Sequence, residues 1–277
     1  MPSVTLPLIL IIFGSGALAG CIGSMLGLGG GVFLVPLLNL GLGFPLRTAA
    51  AISLCTVIAT SSSVSAGQAG SQLINLRLGM VLEVATVAGS LLGGLTAHLF
   101  SEASLQRLFG VVAVVTALAV LSRINRRNVI LDPSADTGQL GGRFLDEESG
   151  GTVTYRVTRL PAALLASFAA GNVSSLLGIG GGVLKVPALN TWCGVPVRAA
   201  AATSAFMIGV TATGGAIIYY GRGDLPALLA APAVLGVQLG SWAGLKLGGR
   251  LSAKWLKVLL TVVLLLVAAL MFIRSGR

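Results

Sequence analysis

The sequence predicts an all-α polytopic membrane protein built from two homologous repeats that are inverted with respect to each other. Three observations lead there. The 277-residue chain is 55% hydrophobic and only 9% charged, with 39 glycines, whereas a soluble domain carries roughly a quarter charged residues. The runs 111–121 and, apart from Lys257 near its start, 256–272 are apolar on every face, and several stretches approach the roughly 20 residues that cross a bilayer. Second, one motif occurs twice. GLGGGVFLVPLLN at 27–39 returns as GIGGGVLKVPALN at 178–190, and through Arg47 and Arg198 12 of 21 positions agree without a gap. The same offset pairs Ser53 with Ser204, Thr60 with Thr211, Gly89 with Gly240 and Gly93 with Gly244. Third, equivalent loops carry opposite charge bias. Lys246, Arg250, Lys254 and Lys257 cluster before the last segment, while the matching loop 98–106 has no Lys or Arg. A duplicated unit whose equivalent loops lie on opposite sides of the membrane would produce this pattern.

The elements follow in order. Residues 6–25 form a first helix with small residues at Gly16, Gly20 and Gly23, spaced for close helix approach. The stretch lacks a basic n-region, so it reads as a retained helix rather than a cleaved signal. Four glycines within 27–31 disfavour helix and break it there. The piece 32–42 that follows is too short to cross a bilayer at about 1.5 Å per residue. Residues 46–65 form a segment rich in Ser and Thr, 76–99 a helix with a small-residue seam through Ala85, Gly89, Gly93 and Ala97, and 105–121 a fifth element. The second half repeats the plan over 161–177, a break, 183–189, 198–220, 225–247 and 256–273. Its seam runs through Gly236, Gly240, Gly244 and Gly248. This gives about 8–10 membrane elements. If each short element completes a crossing, each half has five and the halves are inverted; if it dips in and out, each has four and they are parallel.

The domain boundaries follow: a first transmembrane repeat over 1–122, a polar linker over 123–159 and a second repeat over 160–277. The linker holds six of the 18 basic and five of the eight acidic residues, broken by Pro133 and several glycines, and reads as solvated chain in which 152–157 forms at most a short strand. Its flanking arginines place it in the cytoplasm and the N-terminus outside.

The net charge of +10 is scattered between apolar runs without interleaved aromatics, which excludes a nucleic-acid surface. Cys21, Cys55 and Cys193 show neither disulfide nor metal spacing and read as small buried hydrophobes. There is no HExxH, GxSxG or Walker motif and no paired intramembrane carboxylate, so neither an enzyme, a metal site nor a cofactor is expected. Without an ATPase motif, transport would be secondary or channel-like.

Broken helices at corresponding places in two halves point to a transport site. Glycine breaks free backbone N–H groups and create half-helix N-termini that attract anions, so Gly27, Gly29, Gly30 and Gly31 with Gly178, Gly180, Gly181 and Gly182 are the primary candidates. Asn39 and Asn190 either bind an oxyanion or tie down unwound backbone. Ser53 and Ser204, like Ser24 and Ser175, offer pocket hydroxyls or bond their own backbone. Lys185 has no counterpart, position 34 being Leu. It supplies a cation to an anionic substrate or snorkels to the interface. Glu83, opposite Val234 in the repeat, is a proton-coupling site or a buried partner for a base. Arg47 and Arg198 read as interfacial anchors, and Gln68 and Gln238 are weaker polar candidates.

The doubled G-[LI]-GGG-x3-VP-x-L-N motif, each copy followed by Pro45-Leu-Arg47 or Pro196-Val-Arg198, resembles the TauE/SafE sulfite exporter family over essentially the whole chain. The resemblance implies a secondary carrier of sulfite, sulfoacetate or other organosulfonates in a bacterial inner membrane, with a small anion as its substrate; composition makes the lipid bilayer a partner, and the glycine seams could equally serve a homodimer. A cation or metal permease and a non-transporting membrane scaffold stand as the rival readings.

Overall fold

The computed structural model describes residues 5–26, 29–67, 72–121, 136–146, 151–248 and 253–276. Gly27 and Gln68 lie outside the described residues. The elements in the first half are α1 (Leu6–Leu26), α2 (Gly31–Pro36) running into a π-turn (Leu37–Gly41), α3 (Leu46–Gly67), α4 (Leu76–Thr96) and α5 (Glu102–Leu121). A β-hairpin, β1 (Gly142–Asp146) and β2 (Gly151–Tyr155), precedes α6 (Leu160–Leu177), α7 (Gly182–Trp192), α8 (Val197–Gly221), α9 (Ala227–Gly248) and α10 (Ala253–Ser275). Among the described residues seven helices are long and apolar enough to cross a membrane, and the apolar stretches Gly31–Gly41 and Thr261–Ser275 are shorter. The chain is therefore an all-α multi-pass membrane protein. Large apolar side chains such as Val84, Leu165 and Leu228 face outward, each more than 70% exposed. That outer surface suits lipid rather than water.

Small residues decide which helices touch. A Cβ at Gly89, Gly93 or Gly171 would strike the carbonyl oxygen of Phe168, Asn172 or Thr86. In the other half, Gly240, Gly244 and Gly20 meet the carbonyls of Ala17, Cys21 and Val237 in the same way. Each of these six contacts maps onto another when 151 is added or subtracted, the offset between Gly27 and Gly178. Backbones come this close only where both seams lack side chains, and dispersion across such seams holds helices together in lipid. The α1–α9 and α4–α6 pairs are the most extensive in the structure, and they exchange with each other under that offset.

Helix directions follow from the same contacts. Ser61 of α3 bonds the Ala205 carbonyl of α8, while Leu54 packs at Gly215. Rising numbers on α3 thus meet falling numbers on α8, its own repeat mate, and the two are antiparallel. Likewise α5 meets α10 with Arg107 at Ser275, Gly110 at Phe272 and Thr116 near Leu264. The operation that exchanges the halves therefore reverses helix direction. Helix α1 runs parallel to α9, with Gly16 at Ala233 and Gly20 at Val237. The tight turn between α8 and α9 reverses the chain, so α9 and α1 point the same way as α3. The chain between α1 and α3 must accordingly return across the protein, and the broken element with α2 carries it back. Each half thus has five elements that alternate in direction.

The stretch 123–159 is not solvated throughout, as its composition suggested. Arg143 pairs with Thr154 and Phe144 with Val153 in an antiparallel hairpin. Phe144, Val153 and Tyr155 are buried with Leu78, Cys193 and Val195. Strand alternation explains this: one face of each strand is apolar and finds the helix ends. Asn75 caps α4 through Leu78 N at 3.0 Å and donates to Leu140 O at 2.8 Å and Tyr155 Oη at 3.1 Å, fastening the hairpin to the bundle. Burial pushes the Tyr155 hydroxyl above its usual range, so it remains neutral.

Candidate functional site

Both glycine runs break their helices in the same way. Gly29 and Gly30 have φ of 80° and 73°, and Gly180 and Gly181 have 81° and 70°. Consecutive left-handed residues of this kind are open to glycine and strained for other residues. Each pair turns the chain sharply into the first turn of its short helix.

The two breaks meet. A Cβ at Gly31 would collide with the Gly178 carbonyl oxygen, and that oxygen accepts a 2.6 Å hydrogen bond from Ser53 Oγ. The Cβ position of Gly29 lies 3.4 Å from Val57 and 3.5 Å from Ile208, while that of Gly180 lies 2.9 Å and 3.1 Å from the same two side chains. Val57 and Ile208 are themselves repeat mates. One apolar pair therefore plugs the junction, and the cavity beside Gly29 has no room for a water.

The polar groups around the junction are not symmetric. Near the first break, Ser24 bonds the carbonyls of Cys21 and Ser241, and Ser53 is engaged as above. Near the second, the buried hydroxyls of Ser174, Ser175 and Ser204 have no hydrogen-bond partner. Ser174 faces Gly181 and Ser204 faces Gly182, where α7 begins. Leaving a buried hydroxyl unpaired costs about 1–3 kcal/mol. Ser175 faces Gly94 and Gly215 instead, so two unpaired hydroxyls, those of Ser174 and Ser204, lie at the start of α7 and make a place that a polar ligand would relieve.

Charge is also confined to this side. Lys185, in the first turn of α7, has a fully buried side chain. Its Nζ donates to Thr211 Oγ1 at 3.1 Å, and Thr211 Oγ1 lies 2.7 Å from Glu83 Oε1. Glu83 Oε2 is 3.8 Å from the ammonium, and its side chain keeps 13% of its exposure. The lysine neither snorkels nor stands free in a pocket. It is held in a neutral pair that joins α7, α8 and α4.

Asn39 and Asn190 lie at the other end of the short elements, about 12 Å from the break at 1.5 Å per helical residue. Asn190 Nδ2 donates to Val195 O at 2.8 Å, and Asn39 Nδ2 to Phe44 O at 2.7 Å and Glu102 Oε1 at 3.1 Å. Both side chains hold the loop that leads into α3 or α8. Arg47 anchors an end loop by donating to Phe100 O at 2.6 Å. Sequence reasoning missed Val57, Ile208 and Ser174 at the junction. It had Thr211 only as a repeated residue, because apolar plugs and single hydroxyls carry no pattern of their own.

A sequence profile of the sulfite exporter TauE/SafE family matches residues 12–271, nearly the whole chain. The chain belongs to that family. It is 26% identical to the probable membrane transporter protein YunE of Bacillus subtilis (strain 168), over 91% of this chain and 93% of that one. It is 25% identical to the probable membrane transporter protein MJ0441 of Methanocaldococcus jannaschii, over 94% and 92% respectively. A second Bacillus subtilis protein, the probable membrane transporter YdhB, is 23% identical over 86% and 88%. No solved structure matches. This TauE/SafE protein is thus a multi-pass membrane transporter and not an enzyme, and its two meeting breaks are where a transport site is to be sought.

Proposed function

We propose that this transporter is a secondary carrier of small sulfur-containing anions, such as sulfite, sulfoacetate or other organosulfonates, across a bacterial inner membrane. The observation that carries the reading is the polar group at the second break: Ser174 and Ser204 buried without partners beside the N-terminus of α7, with Lys185 in the first turn of that helix. Hydroxyl donors, a helix N-terminus and a cation suit a compact oxyanion. The family's description supports sulfur as the central atom. A cation route would need carboxylates, and Glu83 is already occupied with Lys185.

The orientation has the hairpin end in the cytoplasm. Arg77, Arg143, Arg156, Arg159, Arg198 and Lys246 gather at that end, and the opposite end has Arg47, Arg107, Arg222 and Arg274. With five passes per half, both termini are then outside, and the halves are inverted in the membrane.

The test is flux in proteoliposomes loaded with radiolabelled sulfite, methanesulfonate or chloride. Saturable flux of the two sulfur anions without chloride flux is expected. Ser204→Ala is expected to weaken apparent affinity about tenfold, the worth of one hydrogen bond to a charged group. Folded protein that moves neither sulfur anion would overturn the reading.

A further inference from the structure

The ion pair at the second break breaks the symmetry of the molecule. Lys185 stands where the first half has Leu34, and Glu83 where the second has Val234. Thr211 alone has a counterpart, Thr60, which bonds its own helix at Thr56 O. A buried ion pair between helices is weak evidence for stability, because apolar residues of like volume generally serve as well. The first half illustrates that: Leu34 is fully buried with apolar neighbours. The charges therefore call for another explanation.

As it stands, the lysine is not available to an anion. Its charge is cancelled by Glu83, and Thr211 bridges the two. We propose that Glu83, Thr211 and Lys185 form a proton-coupled anion site, in which a proton taken up by Glu83 releases the Lys185 ammonium to the substrate. This rests on the anion-carrier reading above. The charges balance. Before binding, the ammonium and the carboxylate sum to zero. One proton on a Glu83 carboxylate oxygen and one monovalent anion on Lys185 leave the site neutral again. The proton and the anion cross together, and no net charge has to be carried through the apolar plug of Val57 and Ile208.

The surroundings favour this partition of roles. Glu83 Oε2 is buried without a hydrogen-bond partner while its side chain keeps 13% exposure against none for Lys185, so the carboxylate has an open oxygen on which a proton can sit. Among the described residues of the elements packed on α4, no second titratable group stands beside Glu83, and His98 lies fifteen residues on, at the far end of that helix. Helix α6, packed on α4, has no titratable side chain. On α8, Arg198 stands at the start, while Tyr219 and Tyr220 are near the far end. Arg77 begins α4, and α7 contributes Lys185 alone. Thr211 can donate to the carboxylate while accepting from the ammonium, and its alternative acceptor, Met207 O at 3.1 Å, lets it release the carboxyl when that is protonated. Ser204, whose hydroxyl is unpartnered, lies seven residues before Thr211 on the same face of α8, about 10 Å along it.

The experiment measures proton uptake on anion binding by the purified full-length protein in weakly buffered detergent, with methanesulfonate as probe because it has no proton of its own to exchange. About one proton per anion is expected, with affinity weakening about tenfold per pH unit where Glu83 is ionised. Glu83→Gln should bind the probe without proton uptake and without that slope. The double variant Lys185→Leu with Glu83→Val, which gives each half the residue its repeat mate carries, should fold and lose both binding and proton uptake. Binding by the wild type with no proton uptake, or unchanged uptake in Glu83→Gln, overturns the coupling and leaves the carrier intact. Failure of folded wild type to bind methanesulfonate or sulfite at any pH overturns the carrier reading and the coupling with it.

Discussion

At the scale of single residues, glycines at the two breaks do unequal work. Gly29 and Gly180 share a left-handed backbone, yet the second is packed more tightly against Val57 and Ile208. Alanine at either costs roughly 1–2 kcal/mol from the backbone alone. At Gly180 the added methyl must also displace the plug, and overpacking of this kind costs roughly 1–3 kcal/mol more. Gly180→Ala is therefore expected to lower thermal stability in detergent beyond Gly29→Ala, and to reduce anion flux more. Equal effects would mean that the plug yields without cost. The asparagines teach the opposite lesson. Asn39 and Asn190 repeat faithfully, and repetition made them candidates for the substrate, but their amides hold the loop carbonyls of Phe44 and Val195.

At the scale of elements, the seams carry the packing. Gly89 meets the Phe168 carbonyl across α4 and α6, and a backbone oxygen cannot turn aside as a side chain can. Gly89→Ala should destabilise the protein by about 1–3 kcal/mol. Gly14, on α1 with open space beside it, is the control: Gly14→Ala should be neutral or stabilise by up to about 1 kcal/mol through helix propensity. Thermal unfolding followed by size-exclusion chromatography in detergent distinguishes them, and similar midpoints would count against the seam. The hairpin is the other element with a clear task. It clamps the start of α4 and the end of α7 through Asn75, Tyr155 and the Thr158 N–H to Cys193 O bond at 3.0 Å. Among the described residues nothing equivalent covers the first half, where Glu102 and Arg274 hold the corresponding loop instead.

At the scale of the whole molecule, antiparallel repeat mates give the two ends of the bundle different contents. Residues 39–47, 98–102, Arg222 and Arg274 share one end, joined by bonds from Arg47 to Phe100 O, from Arg222 to His98 and from Arg274 to Asn39 O. Asn75, the hairpin and Cys193 share the other. In a variant without native cysteines, Arg222→Cys is expected to react with a membrane-impermeant maleimide on intact cells. Thr137→Cys should react only after permeabilisation. The reverse pattern would invert the orientation, and labelling of both from outside would break the five-pass scheme.

What the sequence determined by itself was the class, the duplication and the position of the breaks, because hydropathy, repetition and glycine runs are local and additive along the chain. Composition announced the bilayer, and the doubled motif named the family. The tertiary structure alone decided which way the short elements run, which helices pair, and that Lys185 and Glu83, 102 positions apart in sequence, form one neutral site with Thr211. Each partner was visible singly, but a buried charge reveals its purpose only through what lies opposite. Proximity between α4, α7 and α8 is set by packing contacts far apart in sequence. For the same reason, the plug of Val57 and Ile208 reads in sequence as two ordinary apolar residues, and only the meeting of the breaks makes it the centre of the molecule.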